Sequence, residues 1–243
     1  MAVAVTGRTT PAPDLGAPLL TGEGLVLEFG AGERRFRAVD GADITVREHS
    51  FVAVVGPSGS GKSSLLYLLS GLKAPGQGRV LFRDQDYARI GDLAVTALRR
   101  REFGFIFQQH FLVNYLGCVE NVLVGALRQD AASRDWAVEL LERLGLGGKL
   151  GQRPYQLSVG ERQRVAVARA MVSRPAVIFA DEPTASLDQR TGHEVIRLLG
   201  EYREHGAVMV VTHDMGMTSG CDAIMEMHDG HLAKAAPSAA GRP

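Results

Sequence analysis

The chain has 243 residues, enough for one large domain or two small ones, and its 45% apolar and 22% charged content is that of an ordinary globular protein. Its 27 Lys and Arg balance 27 Asp and Glu, so no global field favours nucleic acid or an anionic membrane. No run approaches the roughly 18 apolar residues that span a bilayer. Cys118 and Cys221 stand alone and match no metal spacing, which makes reduced structural thiols the expectation.

Residues 1–20, with Pro11, Pro13 and Pro18, read as a flexible extension. They lack a basic segment ahead of an apolar core, so no secretory leader is expected. From Leu25 the chain alternates, with Leu27 and Phe29 on the face of Leu25 and with Val26 and Glu28 opposite. A turn at Gly30-Ala31-Gly32 leads to runs at Phe36–Val39 and Ile44–Val46. These predict an antiparallel strand set ahead of a buried strand, Phe51–Val55.

That strand runs into Gly56-Pro57-Ser58-Gly59-Ser60-Gly61-Lys62-Ser63-Ser64 and then the apolar helix of Leu65–Leu69. Strand, glycine loop and helix in this order are the context that the phosphate-binding pattern G-x-x-x-x-G-K-[ST] requires. Glycines let successive N–H groups point into one concavity, and the helix start adds its unpaired donors and positive dipole end. Lys62 is placed to reach the β- and γ-phosphates, and Ser63 to hold Mg²⁺. A glycine turn that binds nothing is the alternative, and the flanking strand and helix argue against it.

After a helix closing near Gly71 comes a β segment, Gly78–Phe82. The stretch from Ala94 to Ala170 is mostly helical, interrupted by Phe103–Phe107 and by a loop at Leu150–Ser158. Two buried strands follow, Ala176–Ala180 and Ala207–Val211, with a helix around Glu194–Arg203 between them. Such alternation predicts an α/β fold with a mostly parallel sheet and a ligand at the strands' carboxyl ends. Gly56, Asp181 and His213 all fall at such ends.

Asp181 and Glu182 form a strand-end acidic pair, suited to hold Mg²⁺ and to act as general base toward water. A capping or solvated pair is the bland alternative, outweighed by the phosphate loop. His213 is placed to bond the γ-phosphate or the attacking water, and Gln108 to join Mg²⁺ or water to a mobile segment. Leu157-Ser158-Val159-Gly160-Glu161 opens a second helix whose free N–H groups suit a phosphate. Ser158 with Glu161 also makes a capping box, and both roles are compatible.

With these motifs in this order, the chain resembles the nucleotide-binding subunit of ABC transporters over about Leu25–Leu232. The resemblance implies a P-loop NTPase core, an antiparallel β subdomain and a helical subdomain inserted near residues 98–170. It implies ATP and Mg²⁺ as cofactors, with Gly56–Ser64 as Walker A, Gln108 as the Q-loop residue and Leu157–Glu161 as the signature. Asp181 and Glu182 become Walker B, Asp188 closes the D-loop and His213 is the switch histidine. Phe29 falls where the family stacks an aromatic on adenine, although it also continues the core row of Leu25 and Leu27.

Within the family, Leu98–Gln109, Glu120-Asn121-Val122 and Asp181-Glu182-Pro183-Thr184 look like the lipoprotein-releasing and macrolide-efflux branch. Val159 departs from the first glycine of the signature pair and Glu161 from its glutamine. The implied partners are a second copy of the chain in the ATP-bound state and a separate membrane permease, with the subunit cytoplasmic at the membrane's inner face. Phe111–Leu116, too apolar for an ordinary surface loop, is expected to wall the groove that receives the permease. The rival reading is an ATP-gated regulatory subunit of a membrane complex, of the cell-division type, which moves no solute.

Overall fold

The computed structural model describes residues 16–30 and 35–234. Residues 1–15 of the expected N-terminal extension, the stretch Ala235–Pro243, which reads from sequence as a second flexible tail, and Ala31 and Gly32 of the expected turn lie outside those residues. Strand β1 (Pro18–Phe29) takes in the last three residues of the stretch expected to be flexible, and Leu19 and Leu20 are buried in the core. It pairs antiparallel with β2 (Phe36–Arg47) and with β4 (Gln77–Phe82), which in turn pairs with the short β5 (Gln85–Asp86).

The strict alternation expected from Leu25 does not hold: Leu25, Val26 and Leu27 are all buried. Register shifts in β1 between Gly22 and Leu27 rotate successive side chains into the core. Likewise the two runs expected at Phe36–Val39 and Ile44–Val46 are one strand, offset at Gly41, where φ is +67°.

The second sheet has the order β10-β9-β3-β8-β7-β6. Here β3 is Phe51–Val55, β6 Phe103–Ile106, β7 Val177–Asp181 and β8 Ala207–Thr212. Strands β9 (Ala223–His228) and β10 (His231–Lys234) have no counterpart in the sequence reading. Only β10 runs antiparallel to its neighbour; the other five strands are parallel.

Every residue of β3, β7 and β8 is buried, because both faces of this sheet are covered. Val177, Phe179, Met209 and Val211 face α1 (Lys62–Leu69) and the antiparallel sheet. Ile178, Ala180, Val208 and Val210 face α3 (Cys118–Leu123), α4 (Ala131–Arg143), α5 (Val159–Met171) and α6 (Gln189–Glu201). Period-two alternation therefore survives, hidden by two apolar environments. Burying a side chain the size of Phe179 contributes about 2–3 kcal/mol.

Helix α2 (Tyr87–Glu102) is bent at Gly91, where φ is +79°. Its Val95 and Leu98 pack with the antiparallel sheet, not with α3–α5.

Candidate functional site

The parallel strands β3, β7 and β8 lie side by side and end together. At their carboxyl ends Gly56, Asp181 and His213 come from three separated segments, as the strand pattern predicts. An open cleft of about 410 Å³ there is lined by Ser58, Gly59, Gly61, Lys62, Ser63, Ser64, Gln108, Glu182 and His213, with Phe29, Phe36 and Ala38.

The glycine loop is held by its surroundings. A Cβ on Gly56 would collide with the Met227 carbonyl, and one on Gly61 with the Ala38 carbonyl. Gly61, at φ +106°, is the N-cap of α1 and has no side chain to satisfy the helix's first N–H groups. A Cβ on Gly59 would meet nothing within 4 Å, so the concave side stays open. Lys62 Nζ donates to the Gly56 and Pro57 carbonyls, each at 2.8 Å, which bends the side chain back across the loop. Burial holds its ammonium below the ordinary lysine value, while Glu182 and Asp181 oppose that shift. Ser60 is buried, and its Oγ has no partner among the described residues.

Asp181 sits behind the loop. Its Oδ1 accepts from Ser63 Oγ at 2.8 Å and its Oδ2 from Tyr67 OH at 3.3 Å. Burial pushes the Asp181 carboxyl above the ordinary range, and those hydroxyls pull only partly against it. Tyr67 was not singled out from sequence, although it lies four residues after Ser63 and so on the same helix face.

Glu182 adopts φ +49°, a conformation that costs a non-glycine residue of order 1 kcal/mol or more. Its N–H donates to the Val211 carbonyl at 2.9 Å, which ties the bend to the neighbouring strand. Three donors orient its carboxylate: Thr212 Oγ1 at 3.0 Å, the His213 N–H at 3.0 Å and His213 Nδ1 at 2.8 Å. Glu182 and His213, read separately from sequence, are therefore directly bonded. The side chain of His213 remains 59% exposed toward the cleft.

Phe29 is half-buried against the core, with Lys73 Nζ 4.4 Å from its ring centroid. Phe36, which sequence reasoning passed over, stacks on it at 5.7 Å and is 59% exposed. Seven positions separate Phe36 from Phe29 in the chain, and only the pairing of β1 with β2 brings them together.

The signature residues Ser158, Gly160 and Glu161 are not part of this cleft. Ser158 caps α5 by accepting from the Glu161 N–H at 3.2 Å, and Glu161 Oε2 accepts the Ser158 N–H at 2.9 Å. Lys149 Nζ lies 2.6 Å from Glu161 Oε1, and its hydrogen bond holds the Glu161 carboxyl below its ordinary value. Val159 points outward, 47% exposed, so the bulk that replaces glycine does not enter the protein. Asp188 is likewise outside the cleft and caps α6, accepting from the Thr191 N–H at 3.0 Å. A buried amide, Gln163, joins α5 to the Walker B turn by donating to the Pro183 carbonyl at 3.0 Å.

A glycine phosphate cradle with a buried lysine, a hydroxyl–carboxylate pair and an oriented glutamate defines a P-loop nucleoside triphosphatase. The comparisons with known proteins narrow the class. The ABC transporter family pattern matches residues 39–185. The chain is 37% identical over 232 residues to the lipoprotein-releasing system ATP-binding protein of Xanthomonas oryzae, covering 93% of this chain and 95% of that one. It is 42% identical over 217 residues to a macrolide export ATP-binding/permease protein of Aeromonas hydrophila, covering 88% of this chain and 34% of the relative. The chain thus spans about a third of the macrolide relatives' length. A dimeric ATP-binding cassette in a post-hydrolysis state, bound to ADP and Pi, superposes with a TM-score of 0.82 at 31% identity, covering 90% and 100% of the two chains. The chain belongs to the ABC transporter family and carries its ATP-binding, ATP-hydrolysing cassette.

Among the described residues no helix is long and apolar enough to cross a membrane.

Proposed function

We propose that this chain binds Mg-ATP between two copies of itself and drives a separate permease of the exporter type from the inner face of the cell membrane. The observation that carries the reading is the split of the site: Lys62 and Glu182 line one cleft, whereas Ser158 and Gly160 open a helix elsewhere. A second copy related by a two-fold axis supplies the missing half to each cleft, which gives two identical composite sites. The dimeric cassettes among the solved relatives support this arrangement.

The oxygen donors fit Mg²⁺: the Ser63 hydroxyl and the Asp181 carboxylate are hard ligands set 2.8 Å apart, with the exposed Gln108 amide at the cleft rim. Held by Ser63, Asp181 and Gln108, Mg²⁺ would supply charge neutralisation to the phosphates. Lys62 leaves its loop carbonyls for the phosphate oxygens. Glu182, held by Thr212 and His213, takes the proton of the attacking water. His213 keeps that carboxylate in place and offers its exposed ring edge to the γ-phosphate. Phe29 and Phe36 together form the apolar platform for the base, and Asp188 stands at the copy-to-copy contact.

Replacing Glu182 by Gln keeps its shape and removes the proton acceptor. Turnover of Glu182→Gln should fall by about 10²-fold or more with ATP binding intact. The same variant should be a dimer by light scattering with Mg-ATP and a monomer without it. One mass under both conditions would refute the composite site.

The contact with the permease lies beside the Gln108 loop. Phe111 and Tyr115 are 63% and 76% exposed, as a docking wall requires. Leu112 instead packs partly buried against the core. The loop that carries them is pinned by the buried Asn121, which accepts from the Val113 N–H at 2.7 Å and donates to the Val113, Leu116 and Gly117 carbonyls. Movement of Gln108 on ATP closure would thus reach the exposed aromatic residues through a stiff segment.

A further inference from the structure

Helix α1 brings two hydroxyls to one buried carboxylate. Ser63 and Tyr67 lie one turn apart on the same face of the helix, and both side chains end on Asp181. Asp181 is 5% exposed, and its two oxygens are used separately. Oδ1 accepts from Ser63 Oγ at 2.8 Å and Oδ2 from Tyr67 OH at 3.3 Å. Lys62, whose charge also acts on Asp181, gives its hydrogen bonds to the Gly56 and Pro57 carbonyls instead. A buried carboxylate without donors is costly, and these hydroxyls are what it has.

The two hydroxyls differ in what lies in front of them. Ser63 lines the cleft, whereas neither Tyr67 nor Asp181 does. Tyr67 packs partly buried against the core shared with the antiparallel sheet, and its carbonyl accepts from the Lys73 N–H at 3.0 Å. Burial, and then the Asp181 charge, hold the Tyr67 phenol above its ordinary value, so it keeps its proton and donates. A serine hydroxyl has one proton and two lone pairs, and an ionised carboxylate only accepts. Ser63 must therefore give Asp181 its proton, which leaves its lone pairs for the cleft. That division holds only while Oδ1 stays within reach of Ser63. The terminal torsion of an aspartate is soft, and Tyr67 fixes it by holding the second oxygen.

We propose that Tyr67 is a positioning residue for the divalent cation: its hydroxyl pins Asp181, Asp181 takes the Ser63 proton, and the Ser63 lone pairs are thereby set toward Mg²⁺. Tyr67 itself touches neither cation nor nucleotide. Groups that act through a metal ligand in this way are worth about 10- to 100-fold in metal affinity. The Tyr67 bond is long and its donor neutral, which places the effect at the lower end of that range. The proposal rests on the Mg-ATP reading of the cleft and adds a determinant of metal affinity that lies outside its motifs.

The test uses the purified chain with ADP, which does not turn over. Binding of Mn²⁺ in the presence of ADP is followed by electron paramagnetic resonance, and ADP affinity without metal is titrated in EDTA. Tyr67→Phe should weaken Mn²⁺ binding by about tenfold and keep its ADP affinity in EDTA within about twofold. ATP hydrolysis by the variant should fall at limiting Mg²⁺ and recover as Mg²⁺ is raised, a dependence that loss of packing alone does not produce. In a Ser63→Ala background Tyr67→Phe should move Mn²⁺ binding by less than about twofold, because the residue it acts through is gone. A shift in Mn²⁺ binding under about threefold, an equal loss of ADP affinity in EDTA, or an undiminished shift in the Ser63→Ala background each overturn the proposal. Should Tyr67→Phe melt well below wild type, Tyr67→Met, which also lacks the hydroxyl, is held to the same limits. A wild-type chain that binds no Mn²⁺ with ADP removes the metal–nucleotide reading itself. One that binds it equally well as Tyr67→Phe removes only the role of Tyr67.

Discussion

Two helices of this protein start at the residues proposed to meet phosphate, and they are built in opposite ways. Helix α1 starts at Gly61, which has no side-chain cap and is wedged where any Cβ would strike the Ala38 carbonyl. Helix α5 starts at Ser158, whose capping box with Glu161 is braced by Lys149. At α1 the first N–H groups are left for the ligand, and tertiary contacts fix the backbone that presents them. At α5 the chain's own side chains satisfy part of the helix start, so less binding capacity remains there. One helix start is left open by the chain itself; the other is partly closed by its own cap.

The contrast is sharpest at the glycines. Gly61→Ala should lower stability by more than about 3 kcal/mol and abolish turnover, because the new methyl group meets backbone and φ is +106°. A thermal melt and an ATPase assay check both. Lys62→Ala leaves the fold in place but removes the buried cation, and nucleotide affinity measured by titration should drop by about 10²-fold.

Asp181 carries a signature in pH. Its folded value is raised by burial, so the folded chain holds that proton more tightly than the unfolded chain. Stability contributed by this group is therefore greatest below the ordinary carboxylate range and declines as pH rises to the raised value. Asp181→Asn should flatten that decline in melts between about pH 4 and 8 and should be more stable than wild type at neutral pH, while losing hydrolysis.

Effects at α5 should be smaller. A Cβ on Gly160 would lie 3.1 Å from the Leu187 side chain, a tight contact that this side chain can relieve by shifting. Gly160→Ala should therefore cost turnover about tenfold. The outward Val159 predicts less than about a tenfold change in turnover for Val159→Gly, and a larger gain would mean that the signature restrains this chain.

Lys149→Ala should be the mildest, costing about 0.5 kcal/mol for a pair that solvent partly screens. Glu161's folded value is depressed, so this contribution is present above the ordinary glutamate range and lost as pH falls through the folded value. The loss in Lys149→Ala should accordingly vanish in acid.

Local chemistry was legible wherever a residue type is forced by its own backbone or ligand. The glycine spacing from Gly56 to Gly61, the apolar runs of β3, β7 and β8, and the Ser158–Glu161 capping pair all read directly from the chain. Less legible were elements whose reason lies across the fold. Strands β9 and β10 are short and mixed in polarity, and β9 is a strand because β3 offers it a parallel edge. Leu112 looks like Phe111 and Tyr115 in sequence, yet it turns inward because Asn121 sets the path of the loop.

By itself the sequence determined the order of the motifs, the strand–loop–helix that makes the phosphate cradle and the residue types available for hydrolysis. These follow from short-range rules: glycine permits the loop, an apolar run demands burial, and a capping residue starts a helix. Tertiary structure alone decided that Glu182 bonds Thr212 and His213, that Phe36 joins Phe29 at the cleft, and that Ser158 stands outside the cleft that Lys62 lines. Each of those depends on which strands lie side by side and on which face of α5 is buried, and long-range packing sets both.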